Sequence, residues 1–134
     1  MSIAQLNTKL NDTVELLKIS RNGIRFSLFL EIVKSSPFSL KEWGKFLHLT
    51  ERTLQRYKKE SKKFEPIHSE RIIEIAKLQM KGKNVFGSKS NFEQWMNSNI
   101  VALGGIKPTE LLDSTFGIDL IMDELGRIEH GILA

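Results

Sequence analysis

The amino-acid sequence predicts an all-α protein. Apolar residues recur at three- and four-residue spacing along most of the chain and nowhere alternate over the length of a strand. Serine or threonine stands just ahead of several of these runs, where a side-chain oxygen can accept from an orphan backbone N–H. Proline and about half of the glycines fall between the runs, among them Gly23, Gly87, Gly104 and Gly105.

The elements follow in order. A helix is expected over 12–20, carrying Val14, Leu16 and Leu17, broken by Arg21-Asn22-Gly23, with Gly23 suited to a helix C-terminus. Residues 24–34 hold Phe26, Leu28, Phe29, Leu30, Ile32 and Val33, a density that predicts a buried helix. After the loop Ser35-Ser36-Pro37, the pattern Ser39-Leu40-Lys41-Glu42 is a capping box that opens a short helix to Leu47. Thr50 caps the next helix, from Glu51 to about Glu60. Pro66 ends a basic tract, and Ser69 starts a helix with Ile72, Ile75, Ala76 and Met80, running towards Phe86 and stopping at Gly87. A second capping box, Ser90 to Glu93, opens a helix with Trp95 and Met96. Residues 97–107 read as a loop around Gly104-Gly105, and Pro108 suits the first turn of a helix. The last helix, from about Thr115, carries Ile118, Ile121, Met122, Leu125 and Ile128 on one stripe, with Gly131 as its stop. Trp95, Leu103, Leu111, Leu112, Phe116 and Ile118 read as core, with a partner contact left open for Trp95. Two domains are expected, 1–68 and 69–134.

At 134 residues, 40% hydrophobic and 27% charged, the composition suits a folded chain rather than a disordered one. Without cysteine there is no disulfide framework and no thiolate metal site. No basic segment followed by a long apolar run opens the chain, and no window of about 18 apolar residues interrupts it, so a cytoplasmic protein without membrane attachment is expected. The net charge of +4 is unevenly spread: residues 1–67 hold 13 Lys/Arg against 7 Asp/Glu, and residues 68–134 hold 7 against 9. A basic half beside an acidic one suggests a polyanion partner for the first.

Residues 40–59 have the pattern of a helix-turn-helix. Leu40, Trp43, Leu47, Leu49, Leu54 and Tyr57 fall where two crossing helices bury side chains, and Gly44 falls where they approach closest. His48 occupies the turn position that favours glycine for its positive φ, a conformation histidine adopts at some cost. With Leu54 and Tyr57 inward, Arg52, Gln55, Arg56 and Lys59 form the opposite face at i, i+3, i+4, i+7. Such a helix can enter the major groove, where arginine reads guanine and glutamine reads adenine. Thr50 and Thr53 stand at its start, and Lys58, Lys62 and Lys63 suit phosphates. Residues 52–63 hold six cations and one anion.

The second half carries a more specific pattern: VFG at 85–87, Trp95, Asn99, LGGIKPTELLDSTFG at 103–117 and LGRIEHG at 125–131. Its order and spacing resemble the toxin-binding domain of antitoxins of the Xre/MbcA/ParS family, and LTERTLQRYKK at 49–59 resembles the family's DNA-binding half. The resemblance implies an Xre-like helix-turn-helix followed by a small helical toxin-binding domain. It implies a cognate RES-domain toxin that degrades NAD, whose active site the antitoxin's C-terminal region occludes. It also implies operator DNA bound by a homodimer, or by a higher oligomer with toxin. Carried onto this chain, Leu125, Arg127, Ile128, Glu129, His130, Gly131, Ile132, Leu133 and Ala134 are the toxin-binding candidates, with Arg127 and Glu129 the polar ones. Residues alone read 127–130 as an ordinary helix end, where a cation suits the dipole. From Leu103 onward six acids face two bases, which suits a toxin with a basic active-site rim.

No enzyme is expected. His48, His68 and His130 lie in no metal-ligand spacing, no nucleophile stands beside a base, and no cofactor motif is present. Gly87-Ser88-Lys89-Ser90 lacks the Gly-Lys order of a P-loop. Two other readings stay open: a transcription regulator whose second domain dimerises or senses, and an adaptor that binds no DNA.

Overall fold

In the computed structural model, which describes residues 1–131, eight α-helices and two 3₁₀ turns follow one another. Among the described residues, β pairing is confined to two isolated bridges, Arg25 with Lys63 and Ile100 with Ile106. The chain divides into two compact units, Met1–Ala76 and Lys77–Ala134. No described helix is long and apolar enough to cross a membrane.

The first unit holds α1 (Ile3–Asn7), α2 (Thr13–Asn22), α3 (Phe26–Ser35), α4 (Leu40–Leu47), α5 (Glu51–Glu60) and the first turns of α6 (Pro66–Phe86). Helix α1 was not foreseen, although its signal is written in the sequence: Ser2 and Gln5 close a capping box across its first turn. The core is aromatic. Phe29 is fully buried, with ring centroids of Phe64, Phe26 and Trp43 at 4.8, 5.4 and 5.5 Å. The Trp43 indole N–H, which burial would leave unpaired, donates to Ser36 Oγ at 3.0 Å.

Helix α6 begins at Pro66 rather than at Ser69, proline taking the first helical position. Ser69 is instead buried inside the helix. Its hydroxyl accepts from the Ile24 amide at 2.9 Å and donates to the Phe64 carbonyl at 3.2 Å. That bond, with buried Ile72 and Ile75, ties the first turns of α6 to the first unit, so the division falls within the helix.

The second unit holds the rest of α6, then α7 (Lys89–Met96), the 3₁₀ turns Val101–Leu103 and Pro108–Leu111, and α8 (Thr115–Glu129). The cap of α7 is Ser88, which accepts from the Asn91 amide at 3.1 Å; the expected box at Ser90 does not form. Gly87, at φ +79°, ends α6 and delivers the chain directly to Ser88, leaving Ser90 inside the helix. Gly82 lies against the Phe92 ring, where a Cβ would overlap it, which explains a glycine inside a long helix. Gly104 and Gly105, both at positive φ, close the turn bridged by Ile100 and Ile106. Ser114 caps α8 by accepting from the Gly117 amide at 2.9 Å. The buried stripe of α8 is Gly117, Ile118, Ile121, Glu124 and Leu125.

Candidate nucleic-acid and partner interfaces

Helices α4 and α5 form the helix-turn-helix. A Cβ on Gly44 would lie 2.8 Å from the Leu49 carbonyl oxygen and 3.4 Å from Leu54 Cδ1, so the close crossing depends on its absence. His48 adopts the left-handed conformation, φ 57°, and the amides of His48 and Leu49 reach back to the carbonyls of Lys45 and Gly44. This double bond satisfies the last carbonyls of α4 and sets the turn. Helix α5 ends the same way. Ser61 is left-handed at φ 50°, its amide and that of Lys62 bond the Lys58 and Tyr57 carbonyls, and the Lys62 ammonium lies 4.9 Å from the Tyr57 ring centroid. Serine gave no sign of this terminus in the sequence, because glycine is its usual marker.

Leu54 and Tyr57 of α5 are buried, and Arg52, Gln55, Arg56 and Lys59 are exposed. Thr50 and Thr53 are committed to the helix start: Thr50 Oγ1 accepts from the Thr53 amide at 3.1 Å and donates to the Thr53 hydroxyl at 2.9 Å. Lys58, Lys62 and Lys63 are exposed beside this face, and Lys63 donates to Asn22 Oδ1 at 3.4 Å. The structure thus gathers the candidate nucleic-acid residues on one helix and the turn that follows it.

His68 lies in the first turn of α6, and its Nδ1 is buried with no hydrogen-bond partner. Burial pushes its pKa below the ordinary histidine value; nearby Glu65 opposes that shift and His48 adds to it.

The end of α8 separates the partner candidates. Leu125 is fully buried in the second unit, so it packs the unit rather than presenting a contact. Arg127 is exposed and pairs with the Glu124 carboxylate at 2.8 Å, and Glu129 pairs with Lys81 at 3.4 Å. Glu124 is itself nearly buried, so Arg127 answers a charge that would otherwise lack a partner. Ile128 is half-buried, His130 and Gly131 are exposed, and Ile132, Leu133 and Ala134 lie outside the described residues.

Phe116 is a correction. Expected in the core, it is 85% exposed, and Leu120, one turn along the same face, is 52% exposed. Both stand about 200° around the helix from Ile118, given about 100° per residue. The buried stripe therefore excludes them, and that signal was available in the sequence. Asp119, Asp123 and Arg127 continue the exposed face. Of the other expected core positions, Leu103, Leu112 and Ile118 are buried, while Leu111 and Trp95 are half-buried.

A recognition helix with a basic outer face, carried by one compact unit and followed by a second helical unit with an exposed apolar edge, defines a helix-turn-helix protein with an additional interaction domain. Residues 15–77 match the family described as the Antitoxin Xre-like helix-turn-helix domain, and residues 81–131 match the Antitoxin Xre/MbcA/ParS C-terminal toxin-binding domain. Two curated proteins, each named Antitoxin Xre, are similar to the chain. That of Yersinia enterocolitica is 32% identical over 84 residues, covering 62% of this chain and 57% of its own length. That of Photorhabdus laumondii is 36% identical over 73 residues, covering 54% and 49%. These alignments span about half the length of each relative. The chain belongs to the Xre/MbcA/ParS antitoxin family.

Proposed function

We propose that this chain is an antitoxin that neutralises a cognate RES-type, NAD-degrading toxin, and that it binds operator DNA to repress its own operon. The observation that carries the reading is the pairing of two surfaces, one in each of the two matched domains. One is a recognition helix with four exposed polar or cationic side chains. The other is a toxin-binding-type unit whose last helix exposes Phe116 and Leu120. An isolated exposed leucine needs no explanation, but an exposed phenylalanine next to a second apolar side chain marks an interaction site.

On this reading the toxin packs against the exposed face of α8, with Phe116 and Leu120 as apolar contacts and Asp119 and Asp123 facing a basic rim. The C-terminal residues beyond it occlude the NAD pocket. Arg127, Glu129 and His130 lead into that segment, and Ile132, Leu133 and Ala134 complete it. The chain performs no catalysis itself and acts as a homodimer on paired half-sites.

Co-expression with the product of the adjacent gene tests this, reading growth and cellular NAD. A neighbour that depletes NAD alone and is harmless with this chain is the expected result; a neighbour that is harmless alone, or toxic but not rescued, removes the toxin claim. Deleting residues 132–134 separates the occluding segment from the pairs that hold α8. A chain so shortened that still neutralises would remove the occlusion mechanism.

A further inference from the structure

Beside the recognition helix lies a groove of about 420 Å³ lined by Arg25, Phe26, Ser27, Lys58, Ser61 and Lys63, together with Leu30. Three of these are cations and two carry hydroxyls, and no acidic residue lines it. None of the three cations forms an ion pair among the described residues. Lys58 belongs to α5, so the groove adjoins the face assigned to DNA. Arg25 and Ser27 come from the start of α3, outside the helix-turn-helix altogether.

The walls are fixed to one another. Arg25 and Lys63 form an antiparallel bridge, the Phe64 amide bonds the Ile24 carbonyl at 2.9 Å, and the Ile24 amide is held by Ser69. The left-handed Ser61 turns the chain out of α5 so that Lys63 reaches that bridge. The cations are thereby mounted on a braced backbone instead of a trailing basic tail, which lowers the ordering cost of binding.

We propose that this groove holds a backbone phosphate of bound DNA, with Arg25, Lys58 and Lys63 as the charges and Ser27 and Ser61 as hydrogen-bonding hydroxyls. The proposal rests on the DNA-binding reading and extends its footprint to α3. A phosphodiester fits better than a neutral ligand because the lining offers three positive charges and no negative one. The contact positions the recognition helix and carries no base preference.

The test measures binding of the full chain to two labelled duplexes across a salt series. One is the DNA upstream of its own coding sequence, and the other is a scrambled duplex of equal length. Arg25→Ala is expected to weaken both duplexes by a similar factor and to lower the slope of log affinity against log salt by about 1. Arg25→Lys restores most of the slope. Lys34→Ala, which removes an exposed cation from the far end of α3, leaves it unchanged. An Arg25→Ala slope equal to wild type, or a Lys34→Ala effect as large, overturns the proposal while leaving DNA binding in place. A wild-type chain that binds neither duplex overturns the DNA-binding reading itself. If inorganic phosphate titrated calorimetrically binds wild type but not Arg25→Ala, and the duplex slope is unaffected, the ligand is a free phosphate and the DNA assignment fails.

Discussion

The two units use phenylalanine in opposite ways. In the first, Phe26, Phe29, Phe38, Phe46 and Phe64 are all buried, and the exposed large apolar side chains are aliphatic: Met1, Val14, Leu17 and Ile67. In the second, Phe92 is buried, Phe86 is half-buried and Phe116 stands in solvent. A unit that reads a polyanion can close its apolar core completely, because its ligand is met by lysine and arginine. A unit that meets another protein keeps apolar surface in reserve, and the stability lost by not burying it is recovered only in the complex. On the proposed function, the same residue type serves folding in one place and recognition in the other.

The strongest form of this contrast is Phe29→Ala, expected to cost about 3–5 kcal/mol of folding stability because it removes the ring that three others contact. Urea denaturation followed by circular dichroism measures it, and a loss below about 1 kcal/mol would show that the aromatic cluster is not the core's support. Next, Arg56→Ala is expected to weaken operator binding by about 1–3 kcal/mol with neutralisation intact, read by anisotropy on the upstream duplex and by growth with the toxin. Phe116→Ala should change folding stability by less than about 0.5 kcal/mol. It should weaken toxin capture by about 1–2 kcal/mol, as seen in pull-down or calorimetry. If the loss falls on folding instead, the contrast between the units fails. Ser61→Gly should stabilise the first unit by up to about 1 kcal/mol, since glycine enters the left-handed region without the Cβ penalty.

The smallest effect is a pH dependence. The folded-state pKa of His68 is lowered by burial, so the unfolded chain takes up its proton first as pH falls. The stability from keeping His68 neutral is complete above about pH 6.5, the ordinary histidine value, and is lost as pH drops towards the folded-state value. Melting temperatures from pH 8 to 5 should show the decline in wild type and a flatter profile in His68→Gln.

Much of the fold was legible because caps and periodicity act locally. Ser39, Thr50 and the stripe from Ile118 placed α4, α5 and α8 within about two residues of their ends. The misses were long-range or degenerate. Two serines two positions apart compete to start α7, and only the turn at Gly87 decides between them. Ser69 looked like a helix start because serine usually is one, whereas its partners, Ile24 and Phe64, are brought to it by tertiary packing. The recognition face of α5 was readable from spacing alone. The groove at Arg25 was not, since its walls lie about thirty positions apart in sequence and are brought together only by tertiary contacts, among them the bridge of Arg25 with Lys63. Leu125 was misplaced because a motif match carries no information about which way a side chain faces, and Phe116 because an aromatic residue was read as core against the helical period that turns it away from Ile118.

The chain contains two tryptophans, and the fold gives one to each unit. Trp43 is sealed in the first core, with its indole bonded to Ser36, while Trp95 is half-buried against Phe86 and Phe92. Each half thus carries its own intrinsic fluorophore in a different polarity. Replacing either with phenylalanine leaves a single emitter that follows the melting of one unit, free of any label. Coincident transitions from the two emitters would mean that the units unfold as one cooperative body, and separated transitions would mean that each is a folding unit in its own right.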